Sequence, residues 1–205
     1  MKIPKMITNI LNRYEKYGLK YTLDYITIQF LFFFNYTKII AIMTKREVNC
    51  IEKYLKTSDT MIEWGAGGST LYFSKKTKFY VSIEDSKIWY KRVLKSINKD
   101  PDLKKKVVIL NIKSNEARSF PSKRSEFIDY IEIVKKLNHK WDKVLIDGRA
   151  RVYCGKEVKS YLKKDSILFL HDFQRSKYEN LFEYYELIET VDTLAVLKLK
   201  DQRSN

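Results

Sequence analysis

Met61-Ile62-Glu63-Trp64-Gly65-Ala66-Gly67-Gly68-Ser69-Thr70 runs from a short apolar stretch through an acid into three glycines within four positions and then two hydroxyl residues. The whole chain holds only six glycines, and one of the others, Gly148, stands in a second motif. Such density is informative, because glycine reaches backbone conformations and close approaches that a Cβ forbids. Between a strand and a helix, a turn of this kind lets a ligand lie against bare backbone at the helix N-terminus. The stretch reads as the floor of a nucleotide-cofactor site; a tight turn with no ligand is the plain alternative.

Outward from this turn, strands and helices alternate. Strands are predicted at Thr60–Trp64, Lys78–Ile83, Lys106–Ile112, Lys143–Ile146 and Ser166–Leu170. Their apolar runs suit parallel strands covered on both faces. Helices are predicted at Thr70–Lys75, from a Ser86 cap through Asn98, at Glu126–Leu137, at Val152–Lys163 and at Tyr178–Tyr185. In the third of these, Phe127, Ile128, Ile131, Ile133 and Val134 are expected to point inward. Pro101 punctuates, and residues 113–125 read as a loop. Glu186–Val191, a turn at Asp192-Thr193 and Leu194–Leu199 form a closing hairpin. The fold class is therefore α/β: a Rossmann-like, doubly wound sheet of about seven strands, mostly parallel with a C-terminal antiparallel hairpin.

Residues 60–205 make that domain, and residues 1–59 read as a basic N-terminal helical extension. Within it, Tyr25–Met43 is the most apolar part, but Gln29, Asn35, Thr37 and Lys38 interrupt it. The uninterrupted run, Phe30–Phe34, falls far short of the about 20 residues a transmembrane helix needs. It reads instead as a buried segment or, if exposed, as a surface for self-association or for docking another domain. Thr44 and Glu47 have the spacing of a capping box, opening a helix to about Lys56.

The bulk properties agree. A chain of 205 residues with 44% hydrophobic and 14% aromatic residues builds a core and is not disordered. The net charge of +15 suggests an anionic partner, such as nucleic acid, a membrane surface or a phosphorylated substrate, or else a solvated lysine-rich surface. Cys50 and Cys154 lie in no metal-ligand spacing and read as reduced thiols in a cytoplasmic setting.

In a doubly wound sheet, ligands bind beyond the carboxyl ends of the strands. Those ends carry Glu63, then Glu84-Asp85, then Asp147-Gly148-Arg149, then His171-Asp172. Glu84 lies 19 positions after Gly65, which places it to accept ribose hydroxyls. Trp89, one turn into the next helix, is core or a flank for an adenine ring. Asp147, His171 and Asp172 are the candidates for chemistry. His171 is expected to act as a base on a hydroxyl, since imidazole titrates nearest neutrality. Asp147 and Asp172 alternatively suit a divalent cation that would acidify that hydroxyl. Arg149 and Arg151 stand where a phosphate or an array of sugar hydroxyls would bind.

Residues 60–200 resemble the class I S-adenosylmethionine-dependent methyltransferases. The resemblance rests on Glu63-Trp64-Gly65-Ala66-Gly67-Gly68-Ser69-Thr70, on Glu84, on Leu145-Ile146-Asp147-Gly148-Arg149-Ala150-Arg151 and on Leu170-His171-Asp172-Phe173. A dinucleotide fingerprint would want glycine at Thr70. The resemblance implies S-adenosylmethionine as cofactor. Glu63 would then meet its ammonium, Gly65, Gly67 and Gly68 would approach it closely, Ser69 and Thr70 would bind it too, and Glu84 with Asp85 would hold its ribose. Asp147 would face cofactor and acceptor together. An acid after strand four and a pair after strand five resemble metal-dependent O-methyltransferases, although the pair here is His-Asp. The two motifs are similar to those of glycan (rhamnose) O-methyltransferase-like domains in large algal viruses, some joined to a glycosyltransferase. That implies a sugar acceptor and a virus-infected host cell. An RNA or small-molecule O-methyltransferase and a catalytically silent docking module are the alternatives.

Overall fold

The structure, a computed structural model, describes residues 43–115, 123–174 and 176–200. The expected helices before residue 43 and the Phe30–Phe34 surface lie outside the described residues. Among the described residues, no helix is long and apolar enough to cross a membrane.

Helix α1 (Lys45–Tyr54) begins at Thr44, whose side chain accepts from the Glu47 amide while Glu47 reaches back to the Thr44 amide. The capping box is thus complete, and the helix stops at a Leu55 cap. The sheet is built from β1 (Thr60–Trp64), β2 (Phe79–Glu84), β3 (Val107–Asn111), β4 (Trp141–Ile146), β5 (Leu162–Leu170), β6 (Tyr185–Val191) and β7 (Leu194–Leu199), in the order β3-β2-β1-β4-β5-β7-β6. β1 to β5 pair in parallel, and β7 enters antiparallel between β5 and β6. The strand order reverses at β1, which pairs with β2 on one side and β4 on the other. In doubly wound sheets such a reversal is where ligands bind, and here it lies beside the glycine turn.

Helices α2 (Gly68–Phe73), α3 (Lys87–Asn98), α4 (Pro101–Lys106), α5 (Ile128–Leu137) and α6 (Arg151–Val158) connect the strands. Pro101 does not merely punctuate: it opens α4, capped by Asp100. Proline suits a first helical position because no amide is needed there. In α5 Ile131 and Val134 are buried as expected and Tyr130 joins them, while Ile128 is 39% exposed. Two expected helices are cut short. α6 ends at Val158, one 3₁₀ turn follows, and Leu162 and Lys163 already belong to β5. The expected helix at Tyr178–Tyr185 is a 3₁₀ segment ending at Leu181, and Tyr185 begins β6. In both places tertiary pairing overrides local helical periodicity: Leu162 pairs with Trp141 and Tyr185 with Leu199.

Trp64, Trp141, Tyr80, Tyr130, Phe127 and Phe169 are fully buried around the sheet. Each such ring contributes about 2–3 kcal/mol by its burial. Trp64 also donates its indole proton to the Tyr130 carbonyl at 2.8 Å, which fixes α5 over the end of β1.

Candidate active site

Two turns cross at the switch point. The Gly65 amide donates to Ile83 O at 2.8 Å, and the Asp147 amide donates to Trp64 O at 2.9 Å. Gly65 has φ +103°, and a Cβ on it would lie 2.6 Å from Gly148 N. A Cβ on Gly148 would collide with the Tyr130 hydroxyl and lie 2.9 Å from Gly65 N. These two glycines therefore exist for each other, so Gly65 faces backbone rather than the ligand expected from the sequence. Gly67 differs: a Cβ there meets nothing within 4 Å. Its bare backbone borders open space, at the N-cap of α2.

Glu63 is completely buried. It accepts from the hydroxyls of Ser69, Thr70 (2.6 Å) and Ser82 (2.9 Å). Burial pushes its carboxyl up to about 7, against the pull of those three hydroxyls. Glu63, Ser69 and Thr70 thus form an internal brace behind the glycine turn, with all three side chains turned toward each other rather than toward a ligand.

Glu84 receives the Ala66 amide at 2.9 Å on one oxygen and the Ser86 amide at 2.7 Å on the other. It ties the glycine turn to the start of α3. Burial raises its carboxyl to about 7, and the charge of neighbouring Asp85 adds to the rise. Asp85 shares a side-chain hydrogen bond with it as well. Trp89 is half-buried, with the Arg92 guanidinium 5.7 Å from its ring centre.

The second half of the site is a charged cluster over β4 and β5. The structure brings Asp147, His171, Asp172 and Arg151 together there and leaves Arg149 exposed beside them. His171 Nδ1 faces Asp147 Oδ1 at 3.0 Å. Its Nε2 faces Thr193 Oγ1 at 3.3 Å and Glu47 Oε2 at 3.5 Å. Thr193 spends its hydroxyl proton on Glu47 Oε1 at 2.6 Å, so toward His171 it accepts. Carboxylates also only accept. Both ring nitrogens are consequently N–H donors, and the ring is an imidazolium. Burial pulls the other way, but the hydrogen bonds to Asp147 and Glu47 win and push the His171 pKa up to about 10. A ring in this state has no lone pair for a substrate proton, which tells against the base role expected for His171.

Glu47 and Thr193 were invisible as site residues in the sequence. Glu47 is accounted for by its capping box, and no spacing connects α1 to the β6–β7 turn. In the structure Glu47 is 1% exposed and also accepts from the Thr193 amide at 2.9 Å. Burial opposes its ionisation, yet bonds to His171 and Thr193 bring its pKa down to about 2. Thr44 and Arg46 secure the same junction by contacting Asp192 at 2.6 and 3.0 Å.

The charged His171 has a consequence for stability. Its folded-state pKa of about 10 lies above the ordinary 6.5. Its contribution is therefore complete below pH 6.5 and is lost as pH rises through about 10. Wild-type melting temperature should fall over that interval more steeply than that of His171→Gln, and the two curves should converge. A constant gap would show that the ring is neutral.

No known family's sequence pattern matches the chain, and no curated protein matches it in sequence. Solved structures do match in shape. A methyltransferase-like protein from Silicibacter pomeroyi superposes with TM-score 0.66 at 17% identity, covering 82% of this chain and 92% of that one. The chain has the Rossmann-like methyltransferase fold. A Staphylococcus aureus protein assigned as a caffeoyl-CoA O-methyltransferase shares this fold with TM-score 0.58 at 12% identity, over 95% of this chain and 98% of that one. A Streptococcus mutans protein assigned as a methyltransferase, solved in complex with SAH, gives TM-score 0.53 at 11% identity, over 77% and 100%. Gly67, Glu84 and Asp147 stand at or just beyond the carboxyl ends of β1, β2 and β4, the end at which doubly wound sheets bind ligands.

Proposed function

We propose that the chain is an S-adenosylmethionine-dependent O-methyltransferase whose acceptor is a sugar hydroxyl on a glycan. The observation that carries this reading is the state of Asp147. Its Oδ1 is held by His171 at 3.0 Å and by Arg151 at 3.1 Å, while its Oδ2 has no partner among the described residues. One edge of a locked carboxylate is thus left at the strand end next to the glycine turn. On the cofactor side two features support the reading: Gly67 offers backbone without a Cβ, and Glu84, with Asp85 beside it, ends β2 where ribose hydroxyls would donate. When bound, S-adenosylmethionine supplies a methyl group on a cationic sulfur.

The remaining work falls to the chain's own residues. Asp147 Oδ2 accepts a hydrogen bond from the acceptor hydroxyl and orients its oxygen for attack. Burial works against ionisation of Asp147, but Arg151 and His171 outweigh it and hold the carboxyl below its usual range. A weak base suffices, because a hydroxyl that is gaining a methyl becomes strongly acidic and gives up its proton readily. Arg149, exposed beside Asp147, is placed to hydrogen-bond further hydroxyls of a sugar. The overall charge of +15 keeps an RNA acceptor as the second reading; a steep loss of RNA binding with added salt would favour it.

Calorimetric titration with S-adenosylhomocysteine tests the cofactor half directly. Binding is expected in the micromolar range, and Glu84→Ala should weaken it about tenfold, the loss of one charge-assisted hydrogen-bond partner. Absence of heat at millimolar ligand would overturn the proposal.

A further inference from the structure

Asp147, His171 and Asp172 present ligand atoms that all lie within 4.8 Å of one another. An ion with oxygen contacts of about 2.1–2.5 Å could reach all three, as metal-dependent O-methyltransferases would require. The space between them is taken. Arg151 Nη2 lies 3.1 Å from Asp147 Oδ1 and 3.2 Å from Asp172 Oδ2, so one nitrogen bridges the two carboxylates. Its Nε donates to Gly148 O at 2.9 Å, and its Nη1 donates to His171 O. The guanidinium is thereby tied to both strand-end turns, with its side chain only 11% exposed.

The backbone is shaped to this end. Ala150, directly before Arg151, has φ +51°, and Asp172 has φ +55°. Left-handed conformations cost non-glycine residues about 1 kcal/mol each. Here the first starts α6 so that Arg151 turns inward, and the second stands where the Asp172 carboxylate reaches it. Charge agrees with geometry. The guanidinium of Arg151 already sets a positive charge between the carboxylates of Asp147 and Asp172.

We propose that Arg151 is the built-in cation of this site: its guanidinium occupies the position a divalent metal would take, which excludes the metal, and its removal opens a divalent-cation site on Asp147 and Asp172. This stands apart from the methyl-transfer reading, because it concerns metal affinity and is tested without turnover. It also reverses the role expected for Arg151 from the sequence, where it was assigned to substrate.

The test is titration of the full chain with manganese(II), reading free ion by electron paramagnetic resonance. Wild type should show no binding at the site at submillimolar metal, and any weak uptake should be the same in Asp172→Asn. Arg151→Met keeps the apolar stem while removing the charge, and should gain one manganese site with at least tenfold higher affinity. Adding Asp172→Asn to that variant should abolish the gain. Stoichiometric binding by wild type that is lost in Asp172→Asn would overturn the proposal, as would a folded Arg151→Met that gains nothing. If circular dichroism shows Arg151→Met to be unfolded, the wild-type and Asp172→Asn titrations decide alone.

Discussion

Gly148→Ala should destabilise the protein by about 4 kcal/mol or more, enough to leave little of it folded at 37 °C. The added methyl group would enter the space of the Tyr130 hydroxyl and approach Gly65 N to 2.9 Å and Trp64 C to 2.9 Å. Tyr130 cannot swing away, being completely buried and packed edge-on against Phe127 at 5.8 Å. Gly65→Ala should act alike from the other side, since it combines φ +103° with a Cβ 2.6 Å from Gly148 N. The informative comparison is Gly67→Ala. That Cβ meets nothing in the protein, and the backbone φ of −173° is one that any residue adopts. Gly67→Ala should melt within a few degrees of wild type yet lose at least tenfold in S-adenosylhomocysteine affinity, about 1.4 kcal/mol. Denaturant unfolding of the three variants beside calorimetry separates the two uses of glycine. If Gly148→Ala folds with near-wild-type stability, the two turns do not cross as closely as described.

This division of labour was not legible in the sequence. The motif announces a glycine turn between β1 and α2, and the alternation of elements around it announces a mostly parallel sheet with a closing hairpin. Sequence cannot tell a glycine that admits a ligand from one that admits another turn, because the second requires knowing that β1 and β4 are neighbours. The same limit explains Glu63. An acid ending a strand before a glycine turn looks like a ligand contact, but Ser82, the residue beside it on β2, supplies a hydroxyl that draws it inward. Asp147, His171 and Asp172 were legible because apolar strands that end in polar residues have few packing explanations. Their states were not legible. Those depend on Glu47, which comes from α1, and on Arg151, whose direction is set by the left-handed Ala150. Local signals also misplaced the ends of α6 and the start of β6, where pairing with β4 and β7 decides.

Asp147→Asn is expected to reduce methyl transfer about a thousandfold, some 4 kcal/mol in activation energy, while leaving S-adenosylhomocysteine affinity within about threefold. The substitution keeps the size of the side chain and an oxygen for His171 and Arg151. It replaces the free carboxylate edge with an amide NH₂, which donates and cannot take a proton. Histidine substitution should not mimic it. His171→Gln removes a ring that is already protonated, so the pH dependence of turnover should lack a limb near the ordinary imidazole pKa in both proteins. A rise in rate through about pH 6.5 in wild type that vanishes in His171→Gln would restore His171 as the base. The assay follows S-adenosylhomocysteine release with a methyl rhamnoside panel as acceptor, beside the melting temperature of each variant. The melting temperature matters because Asp147→Asn also leaves Arg151 and His171 facing one carboxylate fewer. A loss of stability with full turnover would make Asp147 a structural counterion. A loss of turnover in a folded variant that still binds the cofactor product places the carboxylate at the reacting hydroxyl, since it is the proton acceptor that has been removed and the fixed cations around it that remain.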